Sequence, residues 1–190
     1  TKVIFLIMKK TIFYILFLSI SSCSIDADKD SIINKMIDEI TYLSSDSLEG
    51  RETGTAGEKL AAEYISSKFK EYGLIGKGTD GYLQSFEASI KENPHTNTIK
   101  KKIQATNVVG YIDNKQEETI IIGAHYDHIG YGDFSSLYDG EREIHNGADD
   151  NASGVSIMIN LAKSLNKVKE YNYLFIGFSG EEHGLFGSSY

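Results

Sequence analysis

The stretch ETIIIGAHYD, residues Glu118 to Asp127, is an apolar, β-branched run that ends in polar side chains. A run of this kind is typical of a buried β-strand. A second run, YNYLFIGFSGEE at residues 171–182, is almost continuously apolar before it ends in acids. Such a strand is expected where both faces of a sheet are covered. The order strand, helix, strand predicts an α/β sandwich around a mostly parallel or mixed central sheet.

Three further segments have helical periodicity. Starting near Ser31, Leu60 and Ala152, apolar residues recur every three or four positions. These spacings predict amphipathic helices, the first with Ser31 as its N-cap and the second ending at Gly73. The run ATNVVGYID, residues 105–113, predicts another strand.

The bulk composition is that of an ordinary soluble domain. The chain has 190 residues, of which 41% are hydrophobic and 24% charged, enough for one domain with its own core. Its net charge is −8, and the only basic cluster is Lys100–Lys102, so we expect no nucleic-acid partner. Residues 76–102 are expected to be mainly loop, with a short strand near residues 82–86. The single cysteine, Cys23, excludes an internal disulfide.

The amino-terminal residues have the pattern of a bacterial lipoprotein signal. The chain begins with Thr1, and Met8 is the better translation start. Two lysines and an apolar stretch at residues 11–20 follow, and small residues then lead to Cys23. The apolar stretch is too short to span a bilayer as a helix. A plain secretory signal, or a buried helix with an incidental cysteine, are the alternatives.

The lipoprotein interpretation sets the organisation of the chain and its location. Residues 1–22 are then upstream residues and signal, Cys23 carries the lipid, and residues 23–30 form a tether. The folded domain occupies residues 31–190. We expect the protein in the cell envelope, bound to a membrane through Cys23.

Polar residues of metal-ligand type occur near the ends of the predicted strands. HYDH, residues 125–128, ends the first strand, GEEH, residues 180–183, ends the last, and GADDNASG, residues 147–154, lies between them. Ligands of open α/β sheets bind beyond the carboxyl ends of the strands, so the three clusters should meet at one crevice. The adjacent carboxylates of Asp149 and Asp150 repel each other unless a cation compensates them.

Each cluster by itself also has a purely structural interpretation. A histidine at a strand end is commonly structural, GADDNASG contains residue types typical of turns and helix N-termini, and GEE can be the acidic first turn of a helix. The i, i+2 spacing of His125 and Asp127 places both on one side of a strand. There Asp127 can accept a ring N–H of His125, as carboxylates do for metal-bound histidines. The three clusters in this order are much more specific than any one of them.

Together, GAHYDH, NGADDNASG and FSGEEHGLFGS resemble the bacterial leucyl aminopeptidase type of zinc peptidase, family twenty-eight of the metallopeptidases. The upstream stretch LEGRETGTAGEKLAAEYISSKFKEYGL, residues 48–74, is also similar, and the resemblance covers roughly residues 31–190. It implies a three-layer α/β sandwich, two zinc ions and removal of N-terminal residues from peptides. Some members of the family act on carboxy-terminal residues instead.

The resemblance also implies roles for individual residues. His125 matches a ligand of one zinc ion, Glu182 matches a ligand of the other, and Asp150 matches the carboxylate that bridges both. Asp127 matches the partner that orients His125. Glu181 matches the general base, which takes a proton from metal-activated water.

Several neighbouring residues have no counterpart in the family's ligand set. Asp149 matches no ligand and is expected to support its loop, which the family tends to build with a cis peptide after Asp150. His128 and His183 lie beside the motifs but match no ligand position. His95 and His145 are expected to be solvated; Tyr126 is expected to pack rather than to act in catalysis.

The family pattern is not complete within this sequence. Each zinc ion in the family needs one more ligand, an aspartate on a later loop or a histidine near the end of the domain, and neither precedes Tyr190. We therefore expect a domain incomplete at its C-terminus and a 190-residue chain that is inactive alone. Rival interpretations are a carboxypeptidase or a glutaminyl cyclase on the same scaffold, or a catalytically inactive binding module. The presence of Glu181 argues against the binding module, which needs no base.

Overall fold

The computed structural model describes residues 29–91, 99–133, 136 and 140–190. They belong to two compact units, Thr1–Asp38 and Glu39–Tyr190. In the first unit residues 29–38 are helical, and this helix, α1, continues to residue 43. Ser31 therefore lies inside the helix and is not its N-cap, because residues 29 and 30 are already helical. The proposed signal, Cys23 and most of the tether lie outside the described residues.

The described residues of the second unit form a five-stranded sheet, three α-helices, a 3-10 helix (Asp46–Arg51) and a π-type turn (Ala148–Ala152). Among the described residues, no helix is long and apolar enough to cross a membrane. In chain order the elements are α2 (Ala56–Glu71), β1 (Ile75–Gly76), β2 (Leu83–Lys91), β3 (Ile99–Ile112), β4 (Thr119–His125), α3 (Ser153–Leu165), β5 (Asn172–Phe178) and α4 (Phe186–Ser189).

The sheet is mixed, and the parallel pair of β4 and β5 positions the polar clusters. Its order is β1-β3-β5-β4, with β2 also paired to β3. Strands β4 and β5 are parallel, in a register that sets His125 opposite Phe178, whereas β3 is antiparallel to β5, β1 and β2. The α/β class with a mixed sheet is confirmed. Because parallel strands end at the same edge, the residues after His125 and after Phe178 come together.

Helices α2 and α3 cover one face of this sheet. Alternate β3 residues, Val108 and Ile112, join the main core, and a Cβ on Gly110 would lie 2.7 Å from the Phe69 ring of α2. The apolar residues Val155, Met158, Ile159 and Ala162 of α3 are buried, and Leu165 is half-buried. The fully buried members of this core are Leu43, Ala61, Ile65, Phe69, Val108, Tyr126, Ala152, Val155, Ile159, Ala162 and Phe175.

Strand β4 is less covered than its composition predicts. Ile121 is 64% exposed and Ile120 40% exposed. Ile121 pairs in register with Leu174, which lines a shallow cleft of about 450 Å³ on the face that α2 and α3 leave open. Among the described residues, the apolar strand β4 is therefore covered on one face and not on both.

The hairpin formed by β2 and β3 is longer than the sequence predicts. Where mainly loop is expected, β2 extends to Lys91 and β3 begins at Ile99. The reason is a period-two alternation that buries one side of the hairpin. Its buried residues form a second cluster, which packs against Phe186 of α4: Phe86, Ala88, Ile103 and Ala105. Lys102 is exposed and pairs with Glu87 at 2.6 Å.

Candidate metal centre

His125 and Asp150 meet at the carboxyl edge of the parallel strands. His125 is the last residue of β4, and Asp150 lies in a π-type turn, Ala148–Ala152, immediately before α3. The Nε2 atom of His125 is 3.1 Å from Oδ1 of Asp150. The peptide bond between Asp150 and Asn151 is cis, as the resemblance implies. The turn thus brings the second acid of the Asp149–Asp150 pair, and not the first, to the histidine.

The two glutamates after β5 complete this cluster. Ligand atoms of His125, Glu181 and Glu182 lie within 4.8 Å of one another, and so do those of His128, Asp150 and Glu182. Glu182 belongs to both groups and Glu181 to one. The structure therefore brings together all three predicted ligands and the predicted base.

Asp127 is buried beneath the cluster. Its carboxylate accepts a hydrogen bond from the Thr53 hydroxyl at 2.9 Å and from the backbone N–H groups of Glu181 at 3.2 Å and Glu182 at 3.4 Å. The Nδ1 atom of His125 is 3.7 Å from Oδ1 of Asp127 and 3.3 Å from its backbone carbonyl. The Asp127 carboxylate thus lies next to the imidazole, as predicted, but at more than ordinary hydrogen-bond distance, and it also accepts from the turn that carries the two glutamates.

The electrostatics of the cluster favour a positive charge at its centre. Burial by itself lowers the pKa of His125, but the carboxylates of Asp127, Glu181 and Asp150 outweigh this and raise the pKa to about 9. Burial raises the pKa of Glu181, and the nearby carboxylates act in the same direction. These shifts show a site with an excess of negative charge, which a cation would compensate.

Arg51, which the sequence analysis leaves unassigned, bonds the loops around the site. Its guanidinium is buried and donates from Nε to the carbonyl of Tyr126 at 2.8 Å, from Nη1 to those of Leu43 and, at 2.7 Å, Asn146, and from Nη2 to that of Gly147 at 3.0 Å. Burial lowers the pKa of Arg51 to about 10, against the opposing charges of the acid cluster. Arg51 thus bonds both HYDH and the start of GADDNASG.

Glu58 forms a second buried network, which we call the Glu58 network: Glu58, Tyr126, Thr106 and Ser179. The Glu58 carboxylate accepts hydrogen bonds from Ser179 Oγ at 2.5 Å, from the Thr106 N–H at 3.1 Å and from the Tyr126 hydroxyl at 3.2 Å. It also accepts from the N–H of Gly54 at 2.6 Å. Burial raises its pKa, although these bonds oppose the shift.

One signal could have identified Glu58 in the sequence. Thr55 and Glu58 have the T-x-x-E spacing of a capping box at the start of a helix. Thr55 is indeed the N-cap of α2, and its side chain accepts from the N–H of Glu58. The Glu58 carboxylate, however, reaches Ser179 and Thr106 as well as the adjacent loop, and only tertiary contacts reveal these partners.

The remaining polar residues occupy different positions. The Asp149 side chain is exposed, and its backbone carbonyl accepts from Ser153 Oγ at 2.8 Å, so it supports the turn. Tyr126 is fully buried in the core, as predicted. His145 and His183 belong to neither ligand group. His128 matches no ligand of the family pattern, but it belongs to the group with Asp150 and Glu182 and contacts Glu182. His95 lies outside the described residues.

A small cleft opens beside the cluster. It has a volume of about 270 Å³, and its lining includes His125, Asn151, Phe178 and Glu181. The cleft therefore gives a small molecule access to one histidine and one glutamate of the candidate centre.

Two curated proteins are similar to this chain over most of its length. The alkaline phosphatase isozyme conversion protein of Escherichia coli (strain K12) is 30% identical over 147 residues, which are 73% of this chain and 40% of that protein. Aminopeptidase YwaD of Bacillus subtilis (strain 168) is 29% identical over 152 residues, 80% of this chain and 29% of that protein. The chain thus spans less than half the length of either relative.

Solved structures share the fold. A Zn-dependent exopeptidase from Parabacteroides distasonis matches 80% of this chain and 47% of its own with a TM-score of 0.60 and 24% identity. The glutaminyl cyclase of Tannerella forsythia matches the same shares with a TM-score of 0.61 and 22% identity. Residues 107–190, which contain all the predicted ligands and the base, match Peptidase family M28. Residues 107–190 therefore belong to peptidase family M28.

Proposed function

We propose that the protein is a zinc-dependent aminopeptidase, which removes N-terminal residues from peptides with a metal-activated water as nucleophile. The observation that carries this proposal is the pair of ligand groups that share Glu182, His125–Glu181–Glu182 and His128–Asp150–Glu182. Each group combines imidazole nitrogen with carboxylate oxygen within 4.8 Å. Family membership and the name of the Bacillus subtilis relative support the same activity.

The residues of the cluster fit zinc. Zinc in proteins binds imidazole nitrogen and carboxylate oxygen, and catalytic sites leave a position open for water. His125, Asp150 and Glu182 would hold the two proposed zinc ions. When bound, the ions polarise the scissile carbonyl and lower the pKa of water.

Glu181 is suited to move the proton. Its carboxylate lines the small cleft, and burial raises its pKa. A carboxylate with a raised pKa takes a proton from water more readily and returns it to a leaving amine. Glu181 would thus accept the proton at its carboxylate and deliver it to the new amino terminus.

Glutaminyl cyclisation is the second candidate. It is favoured by the likeness in fold to the Tannerella forsythia glutaminyl cyclase. The two candidates differ in the reacting group, because a peptidase attacks a peptide carbonyl with water whereas a cyclase uses the substrate's own α-amine. Substrate choice therefore separates them.

The proposal includes a cell-envelope location. Its support is the sequence pattern that ends at Cys23, the chain's single cysteine. In this proposal Cys23 carries a lipid, the membrane is a partner, and peptides outside the cytoplasm are the substrates. Replacement of Cys23 by Ser is expected to move the protein from the membrane fraction to the soluble fraction; an unchanged distribution would contradict the anchor.

The test of the activity is a Glu181→Gln variant of the protein as its own gene encodes it. We expect zinc content equal to that of the wild type and a loss of about 100-fold or more in the hydrolysis of amino-acid anilides. Glu63→Gln on the exposed side of α2 is the matched control and should keep full activity.

Three other results would each support a different function. Wild-type turnover confined to peptides with N-terminal glutamine, without hydrolysis, would support the cyclase. Release of carboxy-terminal residues only would support a carboxypeptidase. Zinc binding without turnover of any of these substrates would support a binding module and overturn the proposal.

A further inference from the structure

His128 makes the shortest described contact with either glutamate of the cluster. Its Nδ1 is 2.6 Å from Oε1 of Glu182, and the two side chains are only 12% and 17% exposed. An ionised carboxylate can only accept hydrogen bonds, so the imidazole Nδ1–H is the donor. His128 thus directs one oxygen of Glu182 and leaves the other oxygen available.

The position of the His128 ring is fixed from two sides. Its backbone N–H donates to the carbonyl of Arg51 at 3.2 Å, and Glu52 and His128 form an isolated β-bridge. On the other side the ring lies against Gly147, where a Cβ would come within 2.6 Å of Cδ2 of His128. Gly147 also has a φ of +58°, a conformation that favours glycine. The fold therefore holds this ring where it contacts Glu182.

The backbone alone does not distinguish the two adjacent glutamates. Both N–H groups donate to the same carboxylate, that of Asp127. The side chains differ: Glu182 receives the hydrogen bond from His128, whereas among the described residues none donates to the carboxylate of Glu181. A carboxylate held in one orientation suits a metal ligand, and one that is free to turn suits proton transfer.

We propose that His128 is a positioning residue that makes Glu182, and not Glu181, the metal-binding glutamate. This inference rests on the proposed zinc centre and adds to it a residue outside the ligand set that the family resemblance implies. It also explains how two consecutive glutamates, with equivalent backbone contacts, take different roles.

The test measures affinity for Zn²⁺ alone, by competition with a chromogenic chelator, in the full chain. His128→Leu removes the donor at similar volume, and His128→Asn keeps an N–H near the position of Nδ1. We expect His128→Leu to bind Zn²⁺ about 10–100-fold more weakly and His128→Asn to recover most of that loss. Asp133 lies farther along the same loop and forms an exposed ion pair with Arg142. The Asp133→Asn variant is therefore the control and should bind Zn²⁺ like the wild type.

A second set of variants tests the positioning role of His128 separately from its effect on the stability of the fold. In the wild type, Glu182→Gln should weaken Zn²⁺ binding far more than Glu181→Gln. In a His128→Leu background the two effects should become similar, because either carboxylate can then take the ligand position. Circular dichroism of each variant shows whether the fold is retained, and His128→Asn carries the test if His128→Leu does not fold.

Three results would overturn the inference in distinguishable ways. Wild-type affinity in His128→Leu would show that the hydrogen bond positions nothing. An equal loss in His128→Leu and His128→Asn, with a changed absorption spectrum of the Co²⁺-substituted protein in both, would show that His128 is itself a ligand. A wild-type chain that does not bind Zn²⁺ would contradict the proposed metal centre, and the positioning role with it.

Discussion

Glu58 Oε1 accepts a hydrogen bond from Ser179 Oγ at 2.5 Å, and this contact joins the first turn of α2 to the turn that follows β5. The two residues are separated by 121 positions in the chain. Ser179 is followed after one glycine by Glu181 and Glu182, so the bond fixes the base of the glutamate turn. The stability of the candidate centre therefore depends on a residue that belongs to none of its three motifs.

Replacing Glu58 with Ala should destabilise the fold by about 2–4 kcal/mol, because the buried Ser179 hydroxyl and the N–H groups of Thr106 and Gly54 lose a charged acceptor. Urea denaturation measures the change. Glu58→Gln, which keeps one acceptor oxygen, should lose less than Glu58→Ala. Glu63→Ala on the exposed side of the same helix should change the free energy of unfolding by less than about 0.5 kcal/mol.

Glu58 should also give the fold a specific pH dependence. Its pKa is raised by burial above the ordinary value of 4.5, so the folded state holds this proton more tightly than the unfolded state. The contribution of Glu58 to stability is then largest below pH 4.5 and falls as the pH rises through the raised pKa. The Glu58→Gln variant should not show this fall. The free energy of unfolding of the wild type should therefore decrease relative to that of Glu58→Gln as the pH rises. A difference that is constant with pH would contradict the raised pKa.

Arg51→Met should cost about 3 kcal/mol or more, because four carbonyls lose a charged donor, the buried ones of Leu43 and Tyr126 and the half-buried ones of Asn146 and Gly147. Arg51→Lys should recover less than half of this loss, since a single ammonium cannot reproduce the planar guanidinium. Thermal unfolding measures both effects. Full stability in Arg51→Lys would show that the charge matters and the geometry does not.

Asp127→Asn should weaken Zn²⁺ binding by about 10–100-fold, because it removes a carboxylate oxygen that accepts from the backbone of the glutamate turn. Chelator competition gives the affinity. Thr53→Val removes only one donor to the same carboxylate and serves as the control, with a smaller expected loss. Equal losses in both variants would place the effect in the Thr53 bond and not in the turn.

Ile121→Lys should leave stability within about 0.5 kcal/mol of the wild type, because Ile121 is 64% exposed on the open face of β4. Phe175→Ala on the neighbouring strand should cost about 3–5 kcal/mol, since Phe175 is fully buried. Denaturant-induced unfolding of the 190-residue chain gives the free energy of unfolding of both variants. A large loss in Ile121→Lys would show that this face is covered in solution.

The sequence predicts the positions of the helices and strands better than it predicts which of their faces are covered. The helices near residues 56–71 and 153–165, the strands that carry HYDH and GEEH, and the helix end at Gly73, with its φ of +76°, all agree with the sequence pattern. Local periodicity and turn chemistry determine these features, because each depends on residues close in the chain. The extent of the β2–β3 hairpin and the exposure of Ile121 depend on which neighbours cover each face, and periodicity does not report that.

Local patterns were enough to predict the α/β class, and the family resemblance of three short motifs added the four polar residues of the candidate centre: His125, Asp150, Glu181 and Glu182. The residues that hold them in place become visible through tertiary contacts. The hydrogen bonds of Arg51 with Tyr126, of Glu58 with Ser179 and of His128 with Glu182 join residues that are 54 to 121 positions apart in the chain. Such contacts arise when β4 and β5 align in parallel and bring distant loops to one edge, and no local pattern encodes that alignment.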